Sequence, residues 1–271
     1  MKKRKLKVGF YGLTGCAGCQ LSIIFEGDEL LNIIDMIEIQ AWPFIKDFNP
    51  DEKFDYIFME GLVASNDDLK TLKKLRKNTK FLVALGTCAH TGCIPAYRHF
   101  SSKENYAHLL YKKDKKIQDV QPSPLNEHIK VDYIIPGCPP DKKEILQFLK
   151  DIVNNKKPNM YDQAVCIECR KNNPVCLLKL GIPCLGPITR GGCNSVCING
   201  GLECWGCRGP KPNAQIQGMI NTLLKQGHSK KFIKDRIHTF MGKTIPEIKI
   251  SKEKDIEPCQ MEKENVKNNK N

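Results

Sequence analysis

Fourteen of the 271 residues are cysteines, and their spacing is the feature of this sequence that could carry chemistry. Five lie scattered before residue 140, eight crowd between residues 166 and 207, and Cys259 stands alone near the C-terminus. The basic N-terminal segment lacks the small-residue cleavage site of a secretory signal, so we expect a cytoplasmic protein whose thiols stay reduced. Metal binding is therefore the leading explanation for so many thiols.

Cysteines follow three of the strands that we predict in the first half. These strands end in glycine-containing loops, and the loops carry Cys16, Cys19, Cys88 and Cys138. The carboxyl ends of parallel strands meet at one edge of an open sheet, and ligands bind there. We therefore expect these four thiolates to converge, and Glu60, at the end of a further strand, to place a carboxylate at the same edge.

Four converging thiolates suit either a tetrahedral zinc ion or a four-iron cluster. A structural zinc usually takes local pairs of ligands because it closes a small fold, whereas these ligands are spread over a domain with its own core. The dispersion favours a functional iron–sulfur cluster, and the neighbouring glycines let backbone amides approach its sulfides. A redox pair of the thioredoxin type at Cys16 and Cys19 is the alternative, and it leaves Cys88 and Cys138 unexplained.

The eight later cysteines divide into two sets of four, as two four-iron clusters require. They are Cys166, Cys169, Cys176, Cys184, Cys193, Cys197, Cys204 and Cys207. Their spacing is denser than zinc ribbons need and favours iron–sulfur clusters. The partition stays open at this point, because Cys184 could complete the first set or the two sets could exchange a cysteine.

The elements that must position the first four thiols alternate between strands and helices. This alternation predicts an α/β fold with a mostly parallel sheet and helices on both faces. The predicted strands cover residues 7–11, 37–42, 54–59, 81–85 and 131–135. The predicted helices of this half cover residues 21–34, 67–77 and 141–153.

The second half has little periodicity before residue 209, and it is rich in glycine, proline and cysteine. This composition predicts a small, loop-rich module folded around metal. Two helices are predicted after it, at 214–225 and 230–240. We predict a first domain at 1–155, a second at 156–250 and a charged, disordered tail at 251–271.

Composition and charge exclude several other classes of protein. The net charge of +13 could indicate a nucleic-acid binder, but the excess lies in lysine runs without interleaved aromatic residues, which are typical of a solvated surface. No apolar run is long enough to span a membrane. No phosphate-binding glycine motif occurs, so nucleotide or flavin binding is not expected here. Three histidines have no visible partners and are interpreted as surface residues or neighbours of the ligands: His90, His99 and His108.

Five short motifs resemble those of a known family, the small subunit of nickel–iron hydrogenases. Three contain the scattered cysteines: FYGLTGCAGCQ at 10–20, GTCA at 86–89 and PGCPP at 136–140. Two more are similar to the cytoplasmic, multimeric group, which includes the sulfhydrogenase delta subunit and the corresponding subunits of F420-reducing and F420-non-reducing hydrogenases: PCLGPITRGGCN at 183–194 and CWGCRG at 204–209. The resemblance covers about residues 6–245.

The resemblance implies three [4Fe-4S] clusters and no catalytic residue in this chain. A flavodoxin-like first domain would hold a proximal cluster, and a ferredoxin-like module would hold the medial and distal clusters. Their ligands would be Cys16, Cys19, Cys88 and Cys138 for the proximal cluster and the eight later cysteines for the other two. Glu60 is interpreted as a neighbour of the proximal ligands, with ligation as a minority alternative. Cys93 stands where many relatives have glycine; a small buried residue beside the cluster is the favoured interpretation, with a spare thiol or an alternative ligand as the other interpretations, and Cys259 remains spare.

The same resemblance implies electron transfer between partner subunits. Electrons from the oxidation of H2 at the nickel–iron site of a separate, obligate large subunit would reach an acceptor subunit that bears flavin or iron–sulfur clusters, or a heterodisulfide reductase. The terminal acceptor, whether NADP, F420 or a heterodisulfide reductase, cannot be read from this chain. The alternatives are a cluster subunit of a complex I-like or membrane-bound hydrogenase and, in another class, a zinc-stabilised nucleic-acid-binding module. Iron and sulfide content separates these alternatives.

Overall fold

A five-stranded parallel sheet forms the first half of the molecule. The computed structural model describes residues 4–25, 27–46, 51–97, 121–245 and 248. The strands are β1 (Leu6–Gly12), β2 (Ile37–Ala41), β3 (Phe54–Glu60), β4 (Thr79–Leu85) and β5 (Tyr133–Ile135). Their order in the sheet is β2-β1-β3-β4-β5, and every neighbouring pair is parallel. This is the strand order of flavodoxin-type sheets, so the predicted α/β class is confirmed.

Helices cover both faces of this sheet. They are α1 (Gly18–Ile24), α2 (Asp28–Ile34), α3 (Asn66–Asn78), α4 (Thr87–Thr91), α5 (Cys93–Ala96) and α6 (Lys142–Val153). The prediction of a single helix at 21–34 was wrong, because the helix is interrupted between α1 and α2. Gly27 has a φ of 53° there, a left-handed conformation that apolar periodicity does not record.

Alternate residues of the strands pack into two separate cores. Phe58 lies on one face, where its ring stacks on Phe10 at 4.9 Å between centroids and where α1, α2 and α6 also pack. Ile57 lies on the opposite face together with Leu72 and Leu75 of α3. The sheet is therefore buried on both sides, as parallel sheets require.

The second half contains short helices joined by long loops. The helices are α7 (Val165–Asn172), α8 (Val196–Asn199), α9 (Ile216–Lys225) and α10 (Lys230–Met241). The helices predicted at 214–225 and 230–240 are confirmed, with ends within two residues. The Ser229 hydroxyl caps α10 by accepting a hydrogen bond from the amide of Phe232 at 3.2 Å. Among the helices that the structure describes, none is long and apolar enough to cross a membrane.

Helix α10 carries the end of the second half back onto the first. The Thr91 hydroxyl in α4 donates a hydrogen bond to the Phe240 carbonyl at 2.6 Å, and Lys243 pairs with Glu127 at 2.7 Å. The boundary predicted near residue 155 falls between α6 and α7, and the division into 1–155 and 156–250 stays a prediction. The tail predicted at 251–271 lies outside the described residues, as do Cys259, His99 and His108.

Candidate iron–sulfur sites

The four cysteines predicted to converge do meet at the carboxyl edge of the sheet. We call them the first thiol group: Cys16, Cys19, Cys88 and Cys138. Cys19 lies in α1 after β1, Cys88 in α4 after β4, and Cys138 in the loop after β5. Burial first, and then the charges of Glu60, Cys88 and Cys16, raise the pKa of the Cys19 thiol. The loops of Cys88 and Cys138 also meet here, because the Thr87 amide, next to Cys88, donates a hydrogen bond to the Gly137 carbonyl, next to Cys138, at 2.9 Å.

A glycine makes this approach possible. Gly86 follows β4 with a φ of 87°, and a β-carbon there would lie 2.3 Å from the Cys19 sulfur. Such a distance is far inside van der Waals contact, so only glycine lets the sulfur reach the loop before Cys88. The glycines that stand beside the cysteines in the sequence therefore have a steric purpose at this edge.

Glu60 holds the segment that carries Cys19. The carboxylate is buried, and its two oxygens accept hydrogen bonds from the amides of Cys19 at 3.0 Å and Gln20 at 3.1 Å. These amides belong to the first turn of α1, where helical N–H groups have no partner within the helix. With both oxygens engaged in this way, the geometry favours Glu60 as a neighbour that positions Cys19 over Glu60 as a ligand.

Cys93 lies beside the first thiol group as a fifth thiol. It is 1% exposed, has a φ of 50°, and lies within hydrogen-bonding reach of the sulfurs of both Cys88 and Cys138. Its hydrogen bond lowers the pKa of Cys138 to about 7. The sequence interpretation as a small buried residue has the burial right but missed these hydrogen bonds.

The eight later cysteines form two neighbouring groups in the structure. The second thiol group comprises Cys193, Cys197, Cys204 and Cys207, and the third comprises Cys166, Cys169, Cys176 and Cys184. Burial, followed by the charges of Cys193 and Cys197, raises the pKa of Cys207 to about 11. Burial, followed by the charges of Cys184, Cys169 and Cys176, raises the pKa of Cys166 to about 12. Cys184 also accepts a hydrogen bond from the amide of Cys204, so it lies where the two groups meet, and the division of the eight cysteines between two clusters stays a proposal.

Hydrogen bonds join the three groups in succession. The hydroxyl of Thr87, which precedes Cys88 of the first group, donates a hydrogen bond to the carbonyl of Cys207, in the second. The amide of Cys204, in the second group, donates to the sulfur of Cys184, in the third, at 3.4 Å. The second group is therefore adjacent to both of the others.

The spacing of the thiols does not suit a single metal ion. Zinc–sulfur bonds of about 2.3 Å require the four sulfurs of a tetrahedral site to lie about 3.8 Å apart. Within residues 4–25, 27–46, 51–97, 121–245 and 248, no three His, Cys, Asp or Glu side chains are arranged to hold one ion. A cavity of about 470 Å³ is instead lined by Cys138 and by all four cysteines of the second group, with room for a multi-atom cluster.

Three polar residues that the sequence interpretation did not single out join the loops around these groups. Thr87 and Arg208 lie where the first and second groups meet. Arg236 of α10 donates hydrogen bonds to the Pro183 carbonyl at 3.0 Å and to Glu203 at 3.1 Å, and so joins the segments before Cys184 and Cys204. Direct proximity to a cysteine in the sequence was the available signal for Thr87 and Arg208, and there was none for Arg236.

His90 is buried and does not lie at the surface. Burial, with a contribution from the charge of Arg190, lowers its pKa to about 4, so the imidazole is neutral near pH 7. It packs beside Gly209, just after the second thiol group. Of the two sequence interpretations, the surface position was wrong for His90, and the position near the ligands fits the structure.

Comparison with known proteins places these features in one family. A model of the family "NADH ubiquinone oxidoreductase, 20 Kd subunit" matches residues 16–152. The sulfhydrogenase 2 subunit delta of Pyrococcus furiosus is 39% identical over 219 residues, which are 80% of this chain and 92% of the relative. One chain of the vhu F420-non-reducing hydrogenase of Methanocaldococcus jannaschii is 30% identical over 280 residues, and the match covers 91% of this chain and 97% of the relative. A solved chain of NAD+-reducing [NiFe]-hydrogenase shares 26% identity with a TM-score of 0.52 over 58% of this chain and 96% of that one.

A parallel sheet with thiols at its carboxyl edge, continued by a cysteine-rich region and C-terminal helices, defines an iron–sulfur subunit of the hydrogenase type. The chain belongs to the family of small subunits of group 3 [NiFe] hydrogenases. The likeness to the sulfhydrogenase and vhu hydrogenase chains extends through the cysteine-rich second half. It therefore favours this family over a complex I-like cluster subunit, whose family model ends at residue 152.

Proposed function

We propose that this chain is the electron-transfer subunit of a [NiFe] hydrogenase and that it holds three [4Fe-4S] clusters. The first thiol group would bind the proximal cluster, the second the medial cluster and the third the distal cluster. Such clusters take up and release single electrons, at potentials set by their ligands, hydrogen bonds and exposure. The observation that supports the proposal is the succession of three thiol groups, joined by the hydrogen bonds from Thr87 to Cys207 and from Cys204 to Cys184.

Backbone amides around the thiols also fit iron–sulfur clusters. The sulfur of Cys184 accepts a hydrogen bond from the amide of Cys204 at 3.4 Å. Donors of this kind stabilise a thiolate that carries excess negative charge and tune the potential of the group it binds. The chain's own contribution is therefore to hold the thiolates, supply these donors and limit access of water.

Two partner subunits follow from the proposal. We infer that the nickel–iron site lies in a large subunit that covers the sheet edge, where Cys16 and Cys138 are exposed. An acceptor subunit with flavin or iron–sulfur clusters, or a heterodisulfide reductase, would receive electrons from the third group, where Cys176 is exposed. The relatives' names differ in their acceptors, so the proposal covers a class of acceptor. Reduced thiols in this number also support a cytoplasmic location.

The variant Cys88→Ala in the purified complex tests this function. Loss of one ligand from the first thiol group should abolish hydrogen-dependent dye reduction, because electrons could no longer leave the large subunit. The variant chain should still co-purify with that subunit. The wild-type chain should contain about twelve iron atoms with matching sulfide, as three four-iron clusters require.

Cys259→Ala is the matched control, because this cysteine lies in none of the family motifs. It should keep both the iron content and the activity of the wild type. Full activity of Cys88→Ala would overturn the assignment of the proximal cluster. Stoichiometric zinc without sulfide in the wild type would overturn the function as a whole and favour a zinc-stabilised binding module.

A further inference from the structure

One buried threonine links the backbone at three of the predicted ligands. Thr87 is 1% exposed and immediately precedes Cys88. Its amide donates to the Gly137 carbonyl at 2.9 Å, and its hydroxyl accepts from the Gly137 amide at 3.0 Å. The same hydroxyl donates to the carbonyl of Cys207. A single side chain thus fastens the loop of Cys88 both to the loop of Cys138 and to Cys207 of the second thiol group.

A buried arginine fastens the same two groups from the other side. Arg208 directly follows Cys207 and is also 1% exposed. It donates to the Gly191 carbonyl at 2.6 Å, to the Pro136 carbonyl at 2.8 Å and to Glu144 at 2.7 Å. Gly191 lies two residues before Cys193, and Pro136 lies two residues before Cys138. The guanidinium therefore joins the second thiol group to the strand end that carries part of the first.

Burying these polar groups has a cost that apolar packing would avoid. A guanidinium out of water is stabilised only when its donors are paired, and a buried ion pair is often no more stable than apolar residues of the same volume. Thr87 and Arg208 orient the loops, because every bond named ends on a backbone group within two residues of a predicted ligand or on Glu144 of α6. Neither side chain is a ligand, and each acts through the loops that it joins.

We propose that Thr87 and Arg208 are positioning residues that fix the distance and orientation between the proximal and medial clusters. This inference rests on the proposed function. The rate of electron transfer between two centres falls steeply as the distance between them grows. A junction that fixes this distance therefore sets how fast electrons leave the first group. Thr87 and Arg208 undergo no chemical change in this role.

Thr87→Val tests the proposal, because valine keeps the shape of threonine and removes only the hydroxyl. The complex carrying it should retain its iron and sulfide. Its spin–spin interaction between the two reduced clusters, read by electron paramagnetic resonance, should change from that of the wild type. The Gly137 amide should exchange its hydrogen about tenfold faster, as expected for the loss of one buried hydrogen bond. Thr87→Ser, which keeps the hydroxyl, is the control and should match the wild type in both measurements.

Arg208→Lys provides the second test if Thr87→Val fails to assemble. Lysine keeps the charge but lacks the fork that reaches three carbonyl and carboxylate groups at once. The same change in spin–spin interaction is expected, with iron retained. A Thr87→Val or Arg208→Lys complex that keeps its clusters with wild-type interaction and exchange overturns the inference and leaves the proposed function intact. A wild-type complex without iron and sulfide overturns the proposed function itself.

Discussion

The two halves of this molecule hold their thiols in opposite ways. In the first half, the four thiols come from three separate strand ends, and the sheet that brings them together has an apolar core on each face. In the second half, the eight thiols lie close in sequence, and the apolar cluster among them is small. Its buried members, two of which are cysteines, are Val165, Leu177, Cys184, Ile198 and Cys204. The sheet of the first half brings the thiols of the first site together. Around the other two sites, we expect the fold of the loops to depend on the metal that the thiols bind.

The backbone of the second half shows why it needs this support. Many residues there have a positive φ, which glycine adopts freely and other residues adopt at a cost. Between residues 173 and 209 they include Asn173, Gly181, Gly192, Asn194, Ser195, Gly201, Gly206 and Gly209. Fixing such loops costs conformational entropy, and the apolar burial that offsets it comes from the small cluster among the thiols and from Leu185 and Ile188, which pack against α9 and α10. Metal binding then supplies folding free energy, as it does in small metal-dependent domains.

Removal of iron should have the largest effect and should separate the two halves. In a chain prepared without iron, hydrogen exchange should leave the amides of β1, β3 and β4 protected. The amides between residues 165 and 210 should lose much of their protection, because metal binding supplies much of the free energy that orders these loops. Anaerobic addition of iron and sulfide should restore protection there. Equal protection of both halves in the iron-free chain would contradict the comparison.

A smaller effect is expected from Gly242→Ala, which probes how the halves are joined. A β-carbon at Gly242 would lie 2.1 Å from the Thr91 carbonyl oxygen, and its φ of 48° is unfavourable for alanine. Thr91 lies in α4 between Cys88 and Cys93, so the clash pushes α10 away from the first thiol group. We expect the variant to lose about 3 kcal/mol of unfolding free energy, from backbone strain and overpacking together.

Gly227→Ala is the matched control for this variant. Gly227 has a φ of 84°, and a β-carbon there would meet nothing within 4 Å. Its cost should be the backbone strain alone, about 1 kcal/mol. Denaturant unfolding of the iron-loaded chains measures both variants. Equal losses for the two would show that the contact between Gly242 and Thr91 contributes nothing to joining the halves.

The same contrast explains what the sequence could predict. The meeting of Cys16, Cys19, Cys88 and Cys138 was predictable, because parallel strands share a carboxyl edge and each strand ends in a recognisable glycine loop. The position of Glu60 beside them followed from the same rule. Even here the sequence did not predict that the helix at 21–34 is split in two. The apolar residues keep their helical spacing across Gly27, whereas the backbone leaves the helical conformation there.

The remaining features depend on geometry that spacing does not record. The partition of the eight later cysteines stayed open because neighbours in sequence can serve either cluster, and the loops alone decide it. The junction of Thr87 with Cys207 joins residues 120 positions apart by a side-chain hydrogen bond, which no periodicity reveals. Cys93 looked spare for the same reason, because its contacts with Cys88 and Cys138 arise from the tight turn between α4 and α5.

The smallest effect is expected from Cys93→Gly. This variant tests whether the first thiol group tolerates the loss of the thiol beside it. Cys93→Gly removes the thiol but also relieves a left-handed backbone, which glycine adopts freely. The two changes oppose each other, so the unfolding free energy should stay within about 1 kcal/mol of the wild type. The sheet still positions the four thiols of the first group, and the iron content should therefore be unchanged.

The informative readout for Cys93→Gly is the potential of the proximal cluster. Hydrogen bonds to the ligand sulfurs tune such potentials, and this variant removes the thiol that lies within reach of two of them. A redox titration should therefore shift while the iron count stays constant. Cys93→Ala is the control for the backbone, since it loses the same hydrogen bonds but keeps the strain, and it should be less stable than Cys93→Gly by about 1 kcal/mol. Loss of iron from both variants would instead indicate that Cys93 is a ligand. The first site would then use a thiol close in sequence to Cys88, as the other two sites use cysteines that are close in sequence.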